Sequence, residues 1–507
     1  MTQKLLPFNY TAEKKEKNLT GLSGLLLYVE LFKALKLDKL IGRQLKIKSN
    51  SQGWRDDQLI LALILLNLAG GESVSDICRL EEDEGFCRIM KSIDLHGKSG
   101  KQRTRIKKRW RQAQTNTVPS PSSIFRYLSY FHNESEELKR KKSTSFIPKP
   151  NQHLQKFSLI NSHLIDLIQK KSPIKAATLD MDATIIPSHK STALKSYKSC
   201  TGYSAFNVYW FEQDYLLHTE FRDGNVTPGY DQLRMLKESL DLLPESVEDV
   251  YIRSDSAGYQ NQLLRYCNRG KNNRFGRIWF AIGCDINDYF RHAILSDSKL
   301  EWLPIYKEID GCKLETGQEW AEVCYAPNGL CRSKKDVGYR FIAIRESLIQ
   351  KVLPGMENQV KLPFPTIQIN KEGYKITAFV TNLEWDVDRI IHWYRQRCGK
   401  SEQVHSVMKQ DLAGGRLPSA DFGENAAWWW IMILSLNLNS IMKRWVLKGS
   451  WKTKQLKSIR FNIINLPGRV VKSGREYIIR LASNHKILDF ICHWRKRIWE
   501  LSCLPAG

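Results

Sequence analysis

The chain has 507 residues, 42% of them hydrophobic and 26% charged, a globular composition with length for about three domains. That balance excludes a disordered chain, a collagen-like fibre and a small disulfide scaffold. Its 78 Lys and Arg against 53 Asp and Glu leave a net charge of +25, a surplus that suits a polyanion, nucleic acid before an anionic membrane surface.

The two longest apolar stretches, residues 59–69 and 426–442, fall short of the about 20 residues that a bilayer span takes. The second also carries Ser435, Asn437, Asn439 and Ser440. Both are expected to be buried core helices, with no membrane as partner. The N-terminus MTQKLLPFNYTAEKKEKN lacks the apolar centre of a secretory signal. Eleven cysteines without a C-x-x-C pair fit reduced thiols. The expectation is a cytoplasmic, nucleoid-associated protein.

In chain order, residues 20–95 read as helical, with dense Leu and Ile faces over 21–37 and 54–69, a break at Gly70 and Gly71, and a further helix over 72–87. Residues 98–111 then hold eight basic residues and no acid. This run reads either as a solvated charged loop or as a phosphate-contacting arm using Arg103, Arg105, Lys107, Lys108 and Arg109. The segment 119–128 has a Ser-rich cap before an amphipathic helix, the pattern of a recognition helix in a helix-turn-helix, with Ser122 and Arg126 as DNA contacts. A cationic run at 139–142 leads into a Ser- and Pro-rich stretch, 143–152, the expected linker, so a helical DNA-binding domain is assigned to 1–150.

Beyond it the pattern changes. Strands are expected at 176–186, 206–211, 215–222 and 249–253, with helices at 230–243 and 261–269, which together make an α/β sheet. Alternating segments at 277–282, 319–326, 339–345 and 375–380 give a mostly β region without a strong helix, and helices follow at 385–410, 426–445 and 486–501.

Asp180 and Asp182 end the first apolar strand on one face, since side chains alternate along a strand. Asp255 ends another, where it reads equally as a helix N-cap. Two acids at the ends of neighbouring strands can share a hard divalent cation, which prefers carboxylate and water oxygens. A third acid is expected from a helix. Glu402 fits, with Lys409 seven residues on and hence two turns away on the same helical face, preceded by Tyr394 and Arg397 one turn apart. An ordinary surface helix explains the same charges.

Taken together, these segments resemble the DDE transposases of bacterial insertion sequences, specifically the DDE group 1 branch (insertion-sequence family 1380). The resemblance runs from about Pro119 to Ala482. It rests on an ordered set: Pro119-Ser-Pro-Ser, Leu179-Asp-Met-Asp-Ala-Thr, Gly202-Tyr, Phe221-Arg-Asp-Gly-Asn-Val, Arg253-Ser-Asp-Ser-Ala-Gly-Tyr, Phe379-Val-Thr-Asn, Tyr394 to Lys409, Leu417-Pro-Ser and Pro467-Gly-Arg-Val-Val. One departure stands out. Four residues separate Arg397 from Glu402, where the family has three, while the Glu402 to Lys409 spacing is kept.

The resemblance implies a ribonuclease-H-like catalytic core over 151–278 and 381–445 with a β-rich insertion over 279–380. A C-terminal helical region, 446–507, would follow. It implies a metal-binding catalytic triad of Asp182, Asp255 and Glu402, Asp182 being chosen over Asp180 because the acid precedes Thr184 by two. Two Mg²⁺ ions, replaceable by Mn²⁺, would serve a two-metal phosphodiester transfer. Tyr394, Arg397 and Lys409 would contact double-stranded DNA at transposon ends and target, in a synaptic homodimer. Excision would be by cut-and-paste, often through a hairpin, with Trp279, Trp302 and Trp320 as wedges for a displaced base or as core packing. Alternatives are a catalytically silent sequence-specific DNA-binding protein and a metal-dependent nuclease of the same fold without strand transfer.

Overall fold

The computed structural model describes residues 18–48, 53–113, 116–141, 144–309, 311–327, 330, 338–348, 364–370, 372–474, 476–482 and 487–503, with backbone alone over 107–113. The chain forms two compact units. One comprises Met1–Asn133, Pro150–Ile160 and Val407–Ala506; the other comprises Glu134–Lys149 and Asn161–Ser406.

The first unit is built around two apolar helices, Asp56–Ala69 and Phe422–Ile441. All twenty residues of the second are buried, as a helix that is apolar on every side must be. Trp428, Trp429 and Trp430 are core side chains: the Trp428 Nε1–H donates to the Ala413 carbonyl at 3.1 Å, and Trp430 stacks on Phe157 at 6.3 Å. The polar residues of these helices find partners inside, Tyr28 Oη donating to Asn439 at 2.8 Å and Asn67 donating to Ser435 at 3.4 Å. Asp56–Ala69 stops at Gly70, whose φ of 95° and N–H bond back to the Leu66 carbonyl make the left-handed cap that glycine favours. Among the described residues no single helix is long and apolar enough to cross a membrane.

The basic run lies on a helix, Gly100–Ala113, where a loop or arm was expected. Arg103 and Arg105 are exposed, and the side chains of Lys107, Lys108 and Arg109 lie outside the described residues. Ser120 caps the Pro121–Leu128 helix, its hydroxyl accepting from the Ser123 N–H at 3.3 Å. Ile124, Tyr127 and Leu128 are buried, while Ser122, Phe125 and Arg126 face solvent. The region expected to be helical beyond residue 446 also contains a hairpin, Gly468–Ser473 with Glu476–Arg480, and Leu19–Thr20 pairs with its first strand.

The second unit holds an eleven-stranded mixed sheet. Ala176–Pro187 lies between Thr201–Trp210, antiparallel to it, and Asp249–Ser254, parallel to it. Tyr215–Asp223 pairs with Thr201–Trp210, and Trp279–Gly283 runs parallel to Asp249–Ser254. The helices Gln232–Asp241 and Asn261–Asn268 lie on the connections into the two parallel strands, as parallel pairing requires. Glu372–Thr381 then hydrogen-bonds Trp279–Gly283 and carries Arg340–Ser347, Cys312–Val323 and Leu303–Ile309 in turn. The β-rich stretch therefore continues the same sheet. It also contains a helix, Asp288–Ser296, capped by Asn287, where none was expected. The cationic run before the expected linker carries Arg140, whose guanidinium forms a buried two-pronged pair with Asp223 at 2.8 and 2.6 Å.

The Val387–Ser406 helix follows the last long strand. Its first turns insert Val387, Ile390 and Ile391 among Ala281, Ile305, Ile342 and Phe379, at the i, i+3, i+4 spacing of one helical face. That apolar anchor aims the next two turns across the strand ends.

Candidate active site

Parallel register pairs Asp180 with Arg253 and Met181 with Ser254. Asp182 and Asp255 come next on their strands and so lie side by side at the edge of the ladder. Asp255 caps the short turn Ser256–Gly258, its carboxylate accepting from the Ala257 N–H at 3.1 Å. Burial, and then the neighbouring charge of Asp182, hold the Asp255 carboxyl above the ordinary range.

Asp180 has a different role. Its two oxygens take Nε and Nη2 of Arg253 at 2.6 and 2.9 Å, and both side chains are buried. The guanidinium lies over the rings of Phe211 and Trp393 and donates its Nη1 to the Trp393 carbonyl on the helix. Arginine cannot lose its proton here, so Asp180 is the permanent partner of a fixed cation.

Asp182 keeps 23% side-chain exposure. Its Oδ2 receives the Ser401 hydroxyl at 2.9 Å, Nη1 of the buried Arg397 at 3.4 Å and, farther off, Nδ1 of His405 at 3.9 Å. These residues recur every four positions and form one stripe of the helix. No donor among the described residues meets Oδ1. Among the described residues, no hydrogen-bond partner meets the buried Nε of Arg397.

Glu402 is one residue past Ser401, which turns it about 100° around the helix, and it is exposed. The oxygens of Asp182, Asp255 and Glu402 do not all lie within 4.8 Å of one another. The extra residue between Arg397 and Glu402 accounts for this, because Ser401 occupies the place that the usual spacing gives the acid. Beyond Ser406 the chain winds as a π-helix, Val407–Asp411, so the α-helical spacing expected to put Glu402 and Lys409 on one face ends before Lys409. Tyr394 donates its hydroxyl to the Ser254 carbonyl at 3.0 Å and stacks on Phe379 at 4.9 Å, and burial pushes its pKa up to about 12.

Trp279 and Trp320 pack on the sheet core, Trp320 donating to Asp388 at 3.0 Å, while Trp302 lies under the Arg345 guanidinium at 4.3 Å. Sequence reasoning missed Arg253, Ser401, His405 and Gly283. A Cβ on Gly283 would come within 2.9 Å of the Ser256 nitrogen and 3.2 Å of the Tyr394 hydroxyl, which explains a glycine where the next strand passes beneath Asp255. The irregular Arg397 spacing was the one signal for Ser401.

The model of the family described as Transposase DDE domain group 1 matches residues 9–325 and 366–503. The chain belongs to the DDE transposases. Among solved structures, it is similar to the piggyBac transposase synaptic complex with hairpin DNA, determined by cryo-EM, with 11% identity and a TM-score of 0.41 over 87% of this chain and 80% of that one. No curated protein sequence matches it.

As a DDE transposase the chain is an enzyme that acts on DNA and uses divalent metal. The residues present fit such an ion. Burial first, and then the charge of Asp182, raise the Asp255 carboxyl, and Oδ1 of Asp182, which no donor among the described residues meets, offers the hard oxygen that a divalent cation takes.

Two outcomes follow for this transposase. Asp180→Asn leaves the buried Arg253 without its counter-charge and costs about 3–5 kcal/mol, whereas Asp182→Asn, at a partly exposed carboxylate, should lower the midpoint of thermal unfolding far less; comparing the two melts checks the assignment. Acidification protonates Asp255 before an ordinary aspartate, which titrates near about 3.9, and ion binding needs the carboxylate. Mn²⁺ affinity by titration calorimetry should therefore begin to fall on acidification at a pH above that at which an ordinary aspartate titrates, and a loss confined to the ordinary aspartate range would contradict the raised pKa.

Proposed function

We propose that this transposase binds the terminal inverted repeats of an insertion sequence, cleaves the transposon ends and joins the freed 3′-OH to target DNA by cut-and-paste. Asp182, Asp255 and Glu402 are its metal-holding carboxylates. The observation that carries this reading is the pair Asp182 and Asp255, side by side on parallel strands, with no donor among the described residues on Asp182 Oδ1. The order of the sheet supports a ribonuclease-H-like core: three consecutive antiparallel strands, then two parallel ones reached through helices.

Two divalent ions, Mg²⁺ or Mn²⁺, would lower the pKa of the attacking water or 3′-OH and take up the charge of the leaving oxygen. The residues of the chain do the rest. Glu402, exposed on the edge of the Arg397–Ser401 stripe, has the reach and freedom to turn a third carboxylate inward when an ion supplies the attraction. Arg397, whose buried Nε meets no partner among the described residues, would supply a donor for a scissile phosphate oxygen. Tyr394 fixes the height of the helix over the Asp255 strand through its bond to Ser254. Lys409, in the π-helical turn, supplies a further phosphate contact.

Recognition of the ends falls to the exposed Ser122 and Arg126 on a capped helix, with the Gly100–Ala113 helix presenting cations to the phosphate backbone. Each subunit of a homodimer would hold one end.

Cleavage and strand transfer on a labelled transposon-end duplex test this directly. With Mg²⁺, the wild type should cut and join, and EDTA should stop both. Asp182→Asn, Asp255→Asn and Glu402→Gln should each reduce cutting to background while leaving end binding intact. Cutting without joining would favour the nuclease reading, and binding without cutting the silent DNA-binding protein.

A further inference from the structure

Three residues in line across the sheet lead away from Asp182. Antiparallel register places Asn207 opposite Asp182, and Thr219 opposite Asn207 on the next strand, so the three side chains share one face. Asn207 and Thr219 are both buried. The Thr219 hydroxyl donates to Asn207 Oδ1 at 2.7 Å, and Asn207 Nδ2 lies 3.3 Å from His405 Nε2. The far nitrogen of that ring, Nδ1, faces Asp182 Oδ2 at 3.9 Å.

The row and the Asp182 charge together favour one tautomer. With the hydroxyl of Thr219 donating to Oδ1, the amide of Asn207 presents its N–H to the histidine, and Nε2 accepts. The ring proton then sits on Nδ1, on the side of the carboxylate. The opposite tautomer would set a lone pair against the Asp182 charge.

We propose that His405 is a positioning residue for Asp182. Its Nδ1–H holds Oδ2, together with Ser401 and Arg397, and so leaves Oδ1 to receive the cation. The Thr219–Asn207 row keeps the ring in that tautomer. The 3.9 Å separation closes to a hydrogen bond when Asp182 is drawn into ligation, as such contacts do on forming a complex. Outer partners of a ligand govern metal affinity by about ten- to a hundredfold. The proposal rests on the reading of Asp182 as a metal ligand.

The test is Mn²⁺ binding to the full chain, followed by the loss of the free-ion electron paramagnetic resonance signal, with the unfolding midpoint as a control. His405→Leu should weaken Mn²⁺ about ten- to a hundredfold. His405→Asn, which keeps an N–H near the place of Nδ1, should recover most of that loss. Thr219→Val, nearly isosteric, should weaken binding several-fold by releasing the amide. In cleavage assays His405→Leu should raise the half-saturating Mn²⁺ concentration more than it lowers the rate at saturation. If Asp182→Asn abolishes Mn²⁺ binding while His405→Leu binds like the wild type, or His405→Asn is as weak as His405→Leu, the positioning role is overturned. If Asp182→Asn itself binds normally, the ligand reading falls and the proposal with it.

Discussion

The buried pair between Asp180 and Arg253 is the constraint on which the candidate site depends. Arg253 belongs to one strand, Asp180 to its neighbour, and the Trp393 carbonyl that takes the third contact belongs to the Val387–Ser406 helix. Removing two charges from water costs several kcal/mol per ion, and only near-ideal geometry offsets it. Here the geometry is two-pronged, and the cation is further covered by Phe211 and Trp393. What the pair contributes is placement: it fixes the helix against the sheet two residues away from Asp182 and Asp255 on their strands.

From that fixed point the chemistry of the helix follows in turns. Val387, Ile390 and Ile391 seat its start in the apolar core. Tyr394 ties it to the Asp255 strand, and Arg397 and Ser401 reach Asp182. All donors gather on one oxygen of Asp182 and leave the other open, so the carboxylate is held without being used up. Glu402 stands outside this stripe. If Glu402 is the third acid, as proposed, such a site would gather its charges only when a cation compensates them.

Much of this was legible in the sequence and some of it was not, for reasons that particular residues make plain. Asp255 could be read because its apolar strand stops there, and the buried 426–442 helix because it is apolar on every side; Asp182, expected at a strand end, lies inside Ala176–Pro187, and only the parallel pairing with Asp249–Ser254 stops before it. Which of Asp180 and Asp182 is free depends on where Arg253 points, a contact across 73 positions that local pattern cannot encode. Several segments that carried the family resemblance prove to be supports of the fold. A Cβ on Gly202 would sit 2.3 Å from the Ile186 carbonyl, and Asn382 bridges Phe280 N–H and the Ile278 carbonyl. The Gly100–Ala113 helix was hidden because a run of cations has no apolar face to betray its period. The continuity of the β-rich stretch with the main sheet rests on long-range pairing, which a strand pattern does not specify.

The central claim is that Asp182 and Asp255 hold the ion while Asp180 serves Arg253. The most direct test is a crystal structure of the full chain with transposon-end DNA and Mn²⁺, read from the anomalous signal of the metal. The account predicts a peak bridging Asp182 Oδ1 and Asp255, with Asp180 still paired to Arg253 and Glu402 turned inward. A peak on Asp180, or an ion held away from both Asp182 and Asp255, would contradict it.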